Sequence, residues 1–373
     1  MGGYSDRAGP STGVHDRLTA RVLLLKAGQE SVAFISCDLR SFVGDRVRER
    51  AMKELGIGHV LVSSSHTHSG PLSWENRTSR WYTETEDKLV AAIAEAKKNL
   101  VPATVAVGRG EIYLGHNRRR IGPEGRATMF WRNAEQAPTS PVDPTVTVLR
   151  VDDAKGKTLA VVVHYACHPS VLGPDNREIS ADYPGAMSRE VERQFPDAIG
   201  MFWQGAAGDI NPYRDKEATP GGFAEAERMG RALAAEAVRV ARKASPVTGD
   251  LHASTEVVDL KHRWDLAATI HAGLTAITLG TQVALIALPG EPFVNHQIAL
   301  TAKSEVPYTL LLGYSSGAGG EWIGYLPTID AAVTGGYGAG WNTTVEVGAG
   351  EALVDRGLVR MYQLLGRLST DAR

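Results

Sequence analysis

The tripeptide His66-Thr67-His68 is where residue type and spacing most clearly indicate chemistry. It follows the apolar run Val60-Leu61-Val62 and precedes Ser69-Gly70-Pro71, so a strand ends here and a loop begins. In extended backbone, residues i and i+2 point to the same side. We therefore expect both imidazoles to face one cavity, where one binds a metal ion and the other handles protons. A pair of hydrogen-bonded surface histidines is the alternative.

Four further segments repeat this layout of an apolar strand followed by a loop rich in polar residues and glycine. Their loops contain, in order, His168-Pro169, Gly208-Asp209-Ile210-Asn211-Pro212, Gly290-Glu291, and Gly313-Tyr314 followed by Gly324-Tyr325. In open α/β sheets, side chains at the carboxyl ends of several strands converge on one crevice. We therefore expect the five loops to build a single site.

Two imidazoles and one carboxylate, from His66, His168 and Glu291, are the usual ligands of a catalytic zinc ion with an open coordination position. Each residue also has an ordinary structural explanation. His168 before a proline fits a hydrogen-bonded turn, and Glu291 fits a carboxylate at a helix N-terminus. One shared site explains three residues in similar positions better than three separate explanations, so the sequence predicts bound Zn²⁺.

The composition of the 373 residues is that of a globular enzyme, and a net charge of −2 provides no basic surface for nucleic acid. The chain begins without the basic and apolar segments of a secretion signal, and no apolar run is long enough to span a bilayer. We expect a cytoplasmic protein without stable membrane association. Cys37 and Cys167 lie in apolar strand-like runs, which predicts buried thiols. The sequence does not indicate an oligomeric state.

Strand-like runs and helical patterns recur along the whole chain. Strands are predicted at 21–25, 31–37, 59–63, 103–107, 146–151, 159–165, 200–203, 283–288 and 308–312, and helices at 86–98, 184–194, 223–243 and 292–304. Turns at 26–30 and 153–157 predict hairpins, and the proline-rich segment 137–144 predicts a rigid surface loop. Hairpins combined with strand–helix units predict an α/β fold with a mixed β-sheet core flanked by helices, in a single domain spanning residues 1–373.

The motifs together resemble the catalytic domain of the neutral/alkaline (non-lysosomal) ceramidases. The resemblance covers nearly the whole chain, and it depends most on HTHSGP at 66–71 combined with GDxxP at 208–212. It implies a neutral-ceramidase-like catalytic domain that acts as a zinc-dependent amidohydrolase. By motif match it implies zinc ligands at His66, His168, Glu291 and Tyr325, a non-ligand catalytic histidine at His68, a pocket-lining Arg118 and a second active-site tyrosine at Tyr337.

Three features depart from that family. Asn211 stands where the family has a serine implicated in catalysis, and an asparagine cannot be the nucleophile. This favours direct attack by metal-activated water over an acyl-enzyme, with Asn211 donating a hydrogen bond to substrate or water, or else serving as a turn residue before Pro212. No immunoglobulin-like C-terminal domain and no secretion signal are found, so we expect a soluble amide of modest size rather than ceramide.

The sequence thus predicts a zinc-dependent hydrolase that cleaves an amide bond of a small or N-acylated substrate. A metal-dependent esterase or lactonase using the same site is the first alternative, and a zinc-binding homologue without catalysis is the second. A serine hydrolase is disfavoured because no GxSxG motif is present. The glycine-rich stretch 313–340 is expected to shape the pocket, and Trp74, Trp81, Trp131 and Trp341 are candidates to line it.

Overall fold

The computed structural model describes residues 1–73, 76–317 and 319–368. The helices of this part of the chain are α1 (Asp45–Leu55), α2 (Arg80–Lys98), α3 (Asp182–Gln194), α4 (Gly221–Ala241), α5 (Val294–Lys303), α6 (Ile329–Thr334) and α7 (Ala349–Leu364). None of these described helices is long and apolar enough to cross a membrane.

The strands, in chain order, are β1 (Gly13–Val14), β2 (Ala20–Ala27), β3 (Glu30–Cys37), β4 (His59–Ser64), β5 (Ala103–Glu111), β6 (Gly115–Asn117), β7 (Arg119–Ile121), β8 (Ala127–Met129), β9 (Thr145–Asp153), β10 (Thr158–Tyr165), β11 (Glu178–Ile179), β12 (Ile199–Gln204), β13 (Ile210–Pro212), β14 (Ser245–Val247), β15 (Leu251–Lys261), β16 (Thr269–Leu279), β17 (Val283–Ala287), β18 (Glu291–Pro292), β19 (Tyr308–Leu312), β20 (Ser315–Ser316) and β21 (Tyr325–Leu326).

Three larger sheets each combine parallel and antiparallel pairs. The first sheet has the order β2-β3-β4-β20, the second β12-β10-β9-β5-β14, and the third β15-β16-β17-β19. Each contains one parallel pair: β3 with β4, β10 with β12, and β17 with β19. The predicted mixed α/β architecture is confirmed. Its core consists of three separate larger sheets, and within the described residues no strand of one is hydrogen-bonded to a strand of another.

The three sheets meet at a central apolar core, and helices cover their outer sides. Phe34 of the first sheet, Trp203 of the second and Leu285 of the third belong to the same central cluster. Outside it, α1 and α2 pack on the first sheet, α3 and α4 on the second, and α5 and α7 on the third. Strands buried on both faces read as continuous apolar runs, which is why the sequence pattern identified them readily.

Strand β17 shows how one run of residues serves both sides of a sheet. Val283 and Leu285 face the central core, while Ala284 and Ile286 face the cluster under α5 and α7. This two-residue alternation follows from the strand pleat. Because both faces are buried, the strand is held in register, and the loop that follows it leaves the sheet at a defined place.

Most predicted elements are present, with ends shifted by a few residues. Both hairpins are confirmed by the antiparallel pairs β2–β3 and β9–β10, both cysteines are buried, and 137–144 is an irregular connection between β8 and β9. Helices α1, α6 and α7 and the long pair β15–β16 have no counterpart among the predicted elements. Helix α1 buries only Val47 and Ala51, too few apolar positions to show a period.

Candidate active site

The carboxyl ends of the three parallel pairs lie together, and each brings one predicted metal ligand. His66 follows β4 in the first sheet, and His168 follows β10 in the second. Glu291 follows β17 in the third sheet and opens β18. The side chains of all three are almost completely buried. The expected convergence of these loops is therefore present in the structure.

His66 and His68 converge, but the extended geometry expected for them is wrong. Strand β4 ends at Ser64, and His66 adopts a left-handed conformation with φ of 72°. Its backbone N–H donates to the Leu39 carbonyl at 2.8 Å, which fixes this turn. The two imidazole centroids still lie 5.0 Å apart. A loop held by backbone hydrogen bonds, and not the strand pleat, brings the rings together.

The imidazoles of His66 and His168 are oriented alike by backbone carbonyls. Nδ1 of His66 lies 2.6 Å from the Arg40 carbonyl, and Nδ1 of His168 lies 2.5 Å from the Ala207 carbonyl. In the neutral tautomer that these hydrogen bonds select, each Nε2 carries a lone pair. Both Nε2 atoms approach Glu291 Oε2, at 3.4 Å from His66 and 3.1 Å from His168.

The charges of this cluster suit a bound cation. Burial lowers the pKa of His66 to about 3, so its ring is neutral at pH 7. Burial also opposes ionisation of Glu291, but His66, His168 and Arg118 outweigh burial and lower the Glu291 pKa to about 2. Imidazole lone pairs beside an ionised carboxylate, each imidazole held from behind by a carbonyl, are the donors and the supporting contacts that zinc sites use. The residues present therefore fit a zinc ion.

His68 lies beside this cluster with both ring nitrogens buried and without a hydrogen-bond partner among the described residues. Its ring stands edge-on to Tyr4 at 4.8 Å. One ring nitrogen lies within 4.8 Å of ligand atoms of His66 and His168, so the distances also allow His68 to bind the metal. Burial, reinforced by His66 and His168, lowers the pKa of His68 well below its usual value. The non-ligand role of His68 stays a prediction.

Tyr325 is brought to Glu291 by strand pairing. Glu291 and Tyr325 are direct partners in the parallel pair β18–β21, and Tyr325 is buried. Burial and the Glu291 charge raise the pKa of the Tyr325 phenol well above its usual value. A role as metal ligand therefore requires the cation itself to lower that pKa. Tyr337 is more exposed, and its ring lies 5.4 Å from that of Tyr325.

Arg118 is enclosed by aromatic rings at the edge of the cluster. Its guanidinium carbon lies 5.2, 5.5 and 5.3 Å from the ring centroids of Trp131, Tyr325 and Tyr337. Burial disfavours its charge, but Tyr325 and Glu291 outweigh burial and raise its pKa further, so Arg118 remains a cation. It places a fixed positive charge beside the ligand cluster.

Asn211 supports Arg118. Its Oδ1 accepts a hydrogen bond from Arg118 Nη1 at 3.2 Å, and its Nδ2 lies 3.5 Å from the Trp131 carbonyl. Arg118 Nη2 donates to the Gly208 carbonyl at 2.5 Å. Neither proposed role of Asn211, donor to substrate or plain turn residue, includes these contacts. The structure shows it orienting the guanidinium.

Asp209 holds the backbone around the site. One carboxylate oxygen accepts from the Val294 N–H at the start of α5, and the other accepts from Asn117 Nδ2, both at 2.8 Å. The Asp209 carbonyl also accepts from the Arg118 N–H at 2.9 Å. Asp209 thereby ties the segment before Arg118 to the helix that follows Glu291.

Gln204, at the end of β12, connects the loops of the two histidines and was not singled out from the sequence. Its Nε2 donates to the Ser65 carbonyl at 3.0 Å and to the Cys167 carbonyl at 2.9 Å. These residues immediately precede His66 and His168. The strand-end position was the available signal, but a lone glutamine has no pattern that indicates such a bridge.

Tyr314 follows β19 at the strand-end position shared by the predicted ligands. Its ring centroid lies 4.5 Å from that of His66, and its buried hydroxyl has no hydrogen-bond partner among the described residues. Burial and the Glu291 charge raise the pKa of its phenol. The sequence placed this loop at the site but assigned the tyrosine no role.

The four tryptophans considered as pocket lining have different surroundings. Trp131 lies at the site, 5.2 Å from the Tyr337 ring. Trp81, in α2, packs against the cluster of the first sheet. Trp341 is 82% exposed, and Trp74 lies outside the described residues. Trp322, not considered before, stacks on His66 at 6.0 Å.

One glycine of the stretch 313–340 lets two backbone segments approach closely. A Cβ on Gly313 would fall 2.7 Å from Pro292 Cδ, so its absence lets the loop after β19 lie against β18. Residue 318 of this stretch lies outside the described residues. The close approach here is to the segment that carries Glu291.

The chain is similar in sequence to proteins of one family. Residues 1–218 match the family described as neutral/alkaline non-lysosomal ceramidase, N-terminal. The chain is 27% identical over 242 residues to neutral ceramidase B of Dictyostelium discoideum, covering 56% of this chain and 33% of that protein. It is 26% identical over 299 residues to neutral ceramidase of Mycobacterium tuberculosis, covering 70% and 46%. The chain thus spans between a third and a half of the length of these relatives.

Solved structures extend the similarity in fold to the whole chain. A ceramidase complexed with C2 superimposes with a TM-score of 0.82 at 17% identity, covering all of this chain and 73% of that one. The neutral ceramidase of Pseudomonas aeruginosa superimposes with a TM-score of 0.79 at 18% identity, with the same coverage. Because the family match extends over more than half of the residues, the chain belongs to the neutral/alkaline non-lysosomal ceramidase family.

Proposed function

We propose that this protein is a zinc-dependent hydrolase that cleaves the amide bond of a small or N-acylated substrate. One observation carries the proposal: the Nε2 atoms of His66 and His168 both approach Glu291 Oε2, at 3.4 and 3.1 Å, beside a His68 ring with no hydrogen-bond partner among the described residues. Membership of the ceramidase family supports the same reaction class.

His66, His168 and Glu291 would hold the ion, with Tyr325 next to Glu291 as a fourth candidate ligand. When bound, zinc supplies Lewis acidity that polarises the amide carbonyl and makes water a stronger acid. The carbonyls of Arg40 and Ala207 keep both imidazoles in the ligand tautomer. This arrangement leaves the ligands little freedom to turn away.

His68 would move the proton. Its lowered pKa leaves the ring neutral at pH 7, so it has a lone pair to accept a proton from the attacking water. The resulting imidazolium can donate that proton to the leaving amine, which is otherwise a poor leaving group. Because neither ring nitrogen is engaged by a described residue, no existing hydrogen bond has to break first.

Arg118, Tyr337 or, if it does not bind the ion, Tyr325 would stabilise the carbonyl oxygen as negative charge develops on it. The Arg118 charge is fixed by Asn211 and the Gly208 carbonyl, so it costs little reorganisation during the reaction. This role of Asn211 leaves no protein nucleophile at that position. Direct attack by water, without an acyl-enzyme, is therefore part of the proposal.

The test is metal analysis followed by turnover. Protein stripped with a chelator should hydrolyse no N-acyl amide, and one equivalent of Zn²⁺ should restore release of both acid and amine, followed by mass spectrometry. The panel includes N-acyl amides from acetyl to long-chain ceramide and the matching esters. Cleavage of esters alone would replace the amidase proposal with an esterase, and a zinc-loaded protein that cleaves nothing would support a non-catalytic homologue.

A further inference from the structure

Beside the buried His68 lies a rim of side chains that combines aromatic rings with one ammonium group. The rim consists of Tyr4, Trp131, Tyr337 and Lys216. Tyr4 lies against His68, with ring centroids 4.8 Å apart. The Nζ of Lys216 lies 5.9 Å from the Tyr4 ring and 4.1 Å from the Trp131 ring. Trp131 in turn contacts Tyr337 at 5.2 Å. The ammonium group therefore lies on the same aromatic rim as the predicted proton carrier.

The Lys216 ammonium has hydrogen-bonding capacity to spare. It makes no side-chain hydrogen bond within the described part of the chain, and its nearest carboxylate oxygen, Asp215 Oδ2, is 3.8 Å away. The other Asp215 oxygen accepts from Ser170 Oγ at 2.5 Å. The Lys216 side chain is 34% exposed, so its group is reachable from solvent. Its contact with the Trp131 face holds it over the rim.

The backbone at Lys216 is in an unfavourable conformation for lysine. Its φ is 53°, in the left-handed region that glycine and asparagine adopt more easily. The Lys216 N–H donates to the Ser170 carbonyl at 2.9 Å, two residues after His168, and this bond helps to hold the turn. Strained residues of this kind cluster at functional sites. A glycine would adopt this turn with less strain, so the presence of lysine indicates that its side chain has a role.

Two other cations, Arg118 and Arg7, lie near the same rings. The guanidinium carbon of Arg118 also lies 5.2 Å from the Trp131 ring, and that of Arg7 lies 5.0 Å from the Tyr4 ring. Arg7 is occupied by the Gly2 and His68 carbonyls, at 2.6 and 2.8 Å. Arg118 is held by Asn211 and the Gly208 carbonyl. Of these three cations, Lys216 is the one whose side chain makes no hydrogen bond to a described residue.

We infer that Lys216 binds an anionic group of the substrate, so that the preferred substrates are N-acyl amides carrying a carboxylate close to the scissile bond. This rests on the proposed amide hydrolysis and narrows it. The distances of 4.8 Å and 5.9 Å through Tyr4 place the ammonium at most about 11 Å from the His68 ring. A compact acyl amino acid spans that distance, and the faces of Tyr4 and Trp131 cover its apolar part.

The experiment compares charged and neutral members of matched substrate pairs. One pair is an N-acyl amino acid and its carboxamide, which places the charge on the amine side. The other is the N-succinyl and N-butyryl derivatives of one amine, which places it on the acyl side. In the zinc-loaded wild type, kcat/KM for the charged member of one pair should exceed that of the neutral member roughly 10- to 100-fold, as expected for one charge-assisted hydrogen bond. The ratio should fall as salt is raised.

Variants of Lys216 separate recognition from folding. Lys216→Gln should bring the charged-to-neutral ratio close to one, mainly through KM, whereas Lys216→Arg should keep it. Lys216→Asn, which suits the left-handed backbone, should also lose the ratio while melting no lower than wild type. Lys88→Gln, at an exposed lysine on α2, should keep the wild-type ratio.

Two results would overturn the inference while leaving amide hydrolysis intact. The first is a wild type that cleaves both members of each pair equally. The second is a Lys216→Gln variant that loses activity on both members by the same factor, which would make Lys216 only a counterion of Asp215. Binding of the N-acyl amino acid and its carboxamide to zinc-loaded His68→Ala, followed by tryptophan fluorescence, gives the same comparison without turnover. Equal affinities there would overturn the inference even if the proposed reaction also fails.

Discussion

Replacing Gln204 with leucine tests whether the two histidine loops are held by a single buried amide. Gln204 is completely buried, and its Nε2 donates to the carbonyls of Ser65 and Cys167. Leucine has a similar volume but cannot donate. The substitution removes both of these hydrogen bonds and the longer one, 3.4 Å, that Gln204 Oε1 accepts from the Cys167 N–H. It changes packing little and touches no predicted ligand.

The loss of stability depends on whether each carbonyl keeps another hydrogen-bond donor. The Cys167 carbonyl still accepts from the Tyr183 hydroxyl at 2.5 Å. The Ser65 carbonyl has no other donor among the described residues, and it becomes a buried, unsatisfied acceptor. Such a group costs about 1–3 kcal/mol. We expect the free energy of unfolding of the metal-free protein to fall by about 2 kcal/mol. Zinc affinity should fall about 10- to 100-fold, as for loss of a group that orients ligands.

Urea unfolding in the presence of a chelator measures the first effect, and zinc competition with a chelating dye measures the second. Thr309→Val is the control, because the buried Thr309 hydroxyl donates to the Val306 carbonyl at 3.0 Å at the far end of β19 from Tyr314. It should lower stability by about 1 kcal/mol and leave zinc affinity unchanged. If Gln204→Leu behaves like this control, the amide does not position the histidine loops and the reasoning is refuted.

Four further variants have defined expected outcomes. His168→Ala should lose zinc, measured by plasma emission, whereas His68→Ala should keep zinc and lower kcat by about 10²- to 10⁴-fold; zinc loss in the latter would make His68 a ligand. Asn211→Ala should reduce activity moderately by freeing Arg118, and intact-protein mass spectrometry during turnover should find no acyl adduct. Glu256→Gln should cost about 0.5–1 kcal/mol at pH 7. Hydrogen bonds from Arg360 and Arg356 lower the folded-state pKa of Glu256 to about 2, so its contribution exists above about pH 4.5 and disappears as pH falls toward 2, which urea unfolding across this range would show.

The convergence of His66, His168 and Glu291 could be predicted because the segments before them are strongly patterned. His66, His168 and Glu291 each follow a strand buried on both faces, and such strands appear in sequence as unbroken apolar runs. The route by which His66 meets His68 could not be predicted. It depends on a left-handed turn fixed by the Leu39 carbonyl, a contact between residues 27 apart in sequence.

The roles of residues that contact distant segments could not be predicted from the sequence either. Gln204 and Lys216 have no local pattern, because the groups that give them a role, such as the Ser65 carbonyl and the Trp131 ring, come from distant segments. Helix α7 is different, since Leu353, Val354, Leu358 and Met361 do show helical spacing in sequence. The apolar spacing of these residues is sufficient to predict a helix here.

Each of the three larger sheets supplies one of the proposed metal ligands, so a fragment of the chain that lacks one sheet also lacks one ligand. The segment matched by the family, residues 1–218, contains His66 and His168 but neither Glu291 nor Tyr325. It also lacks β20, the strand from Ser315–Ser316 that pairs with β4 directly ahead of His66. A fragment cut at residue 218 would therefore expose the edge of its first sheet and hold two imidazoles without their carboxylate. The proposed ligand set is therefore complete only when the third sheet, which lies beyond residue 218, supplies Glu291.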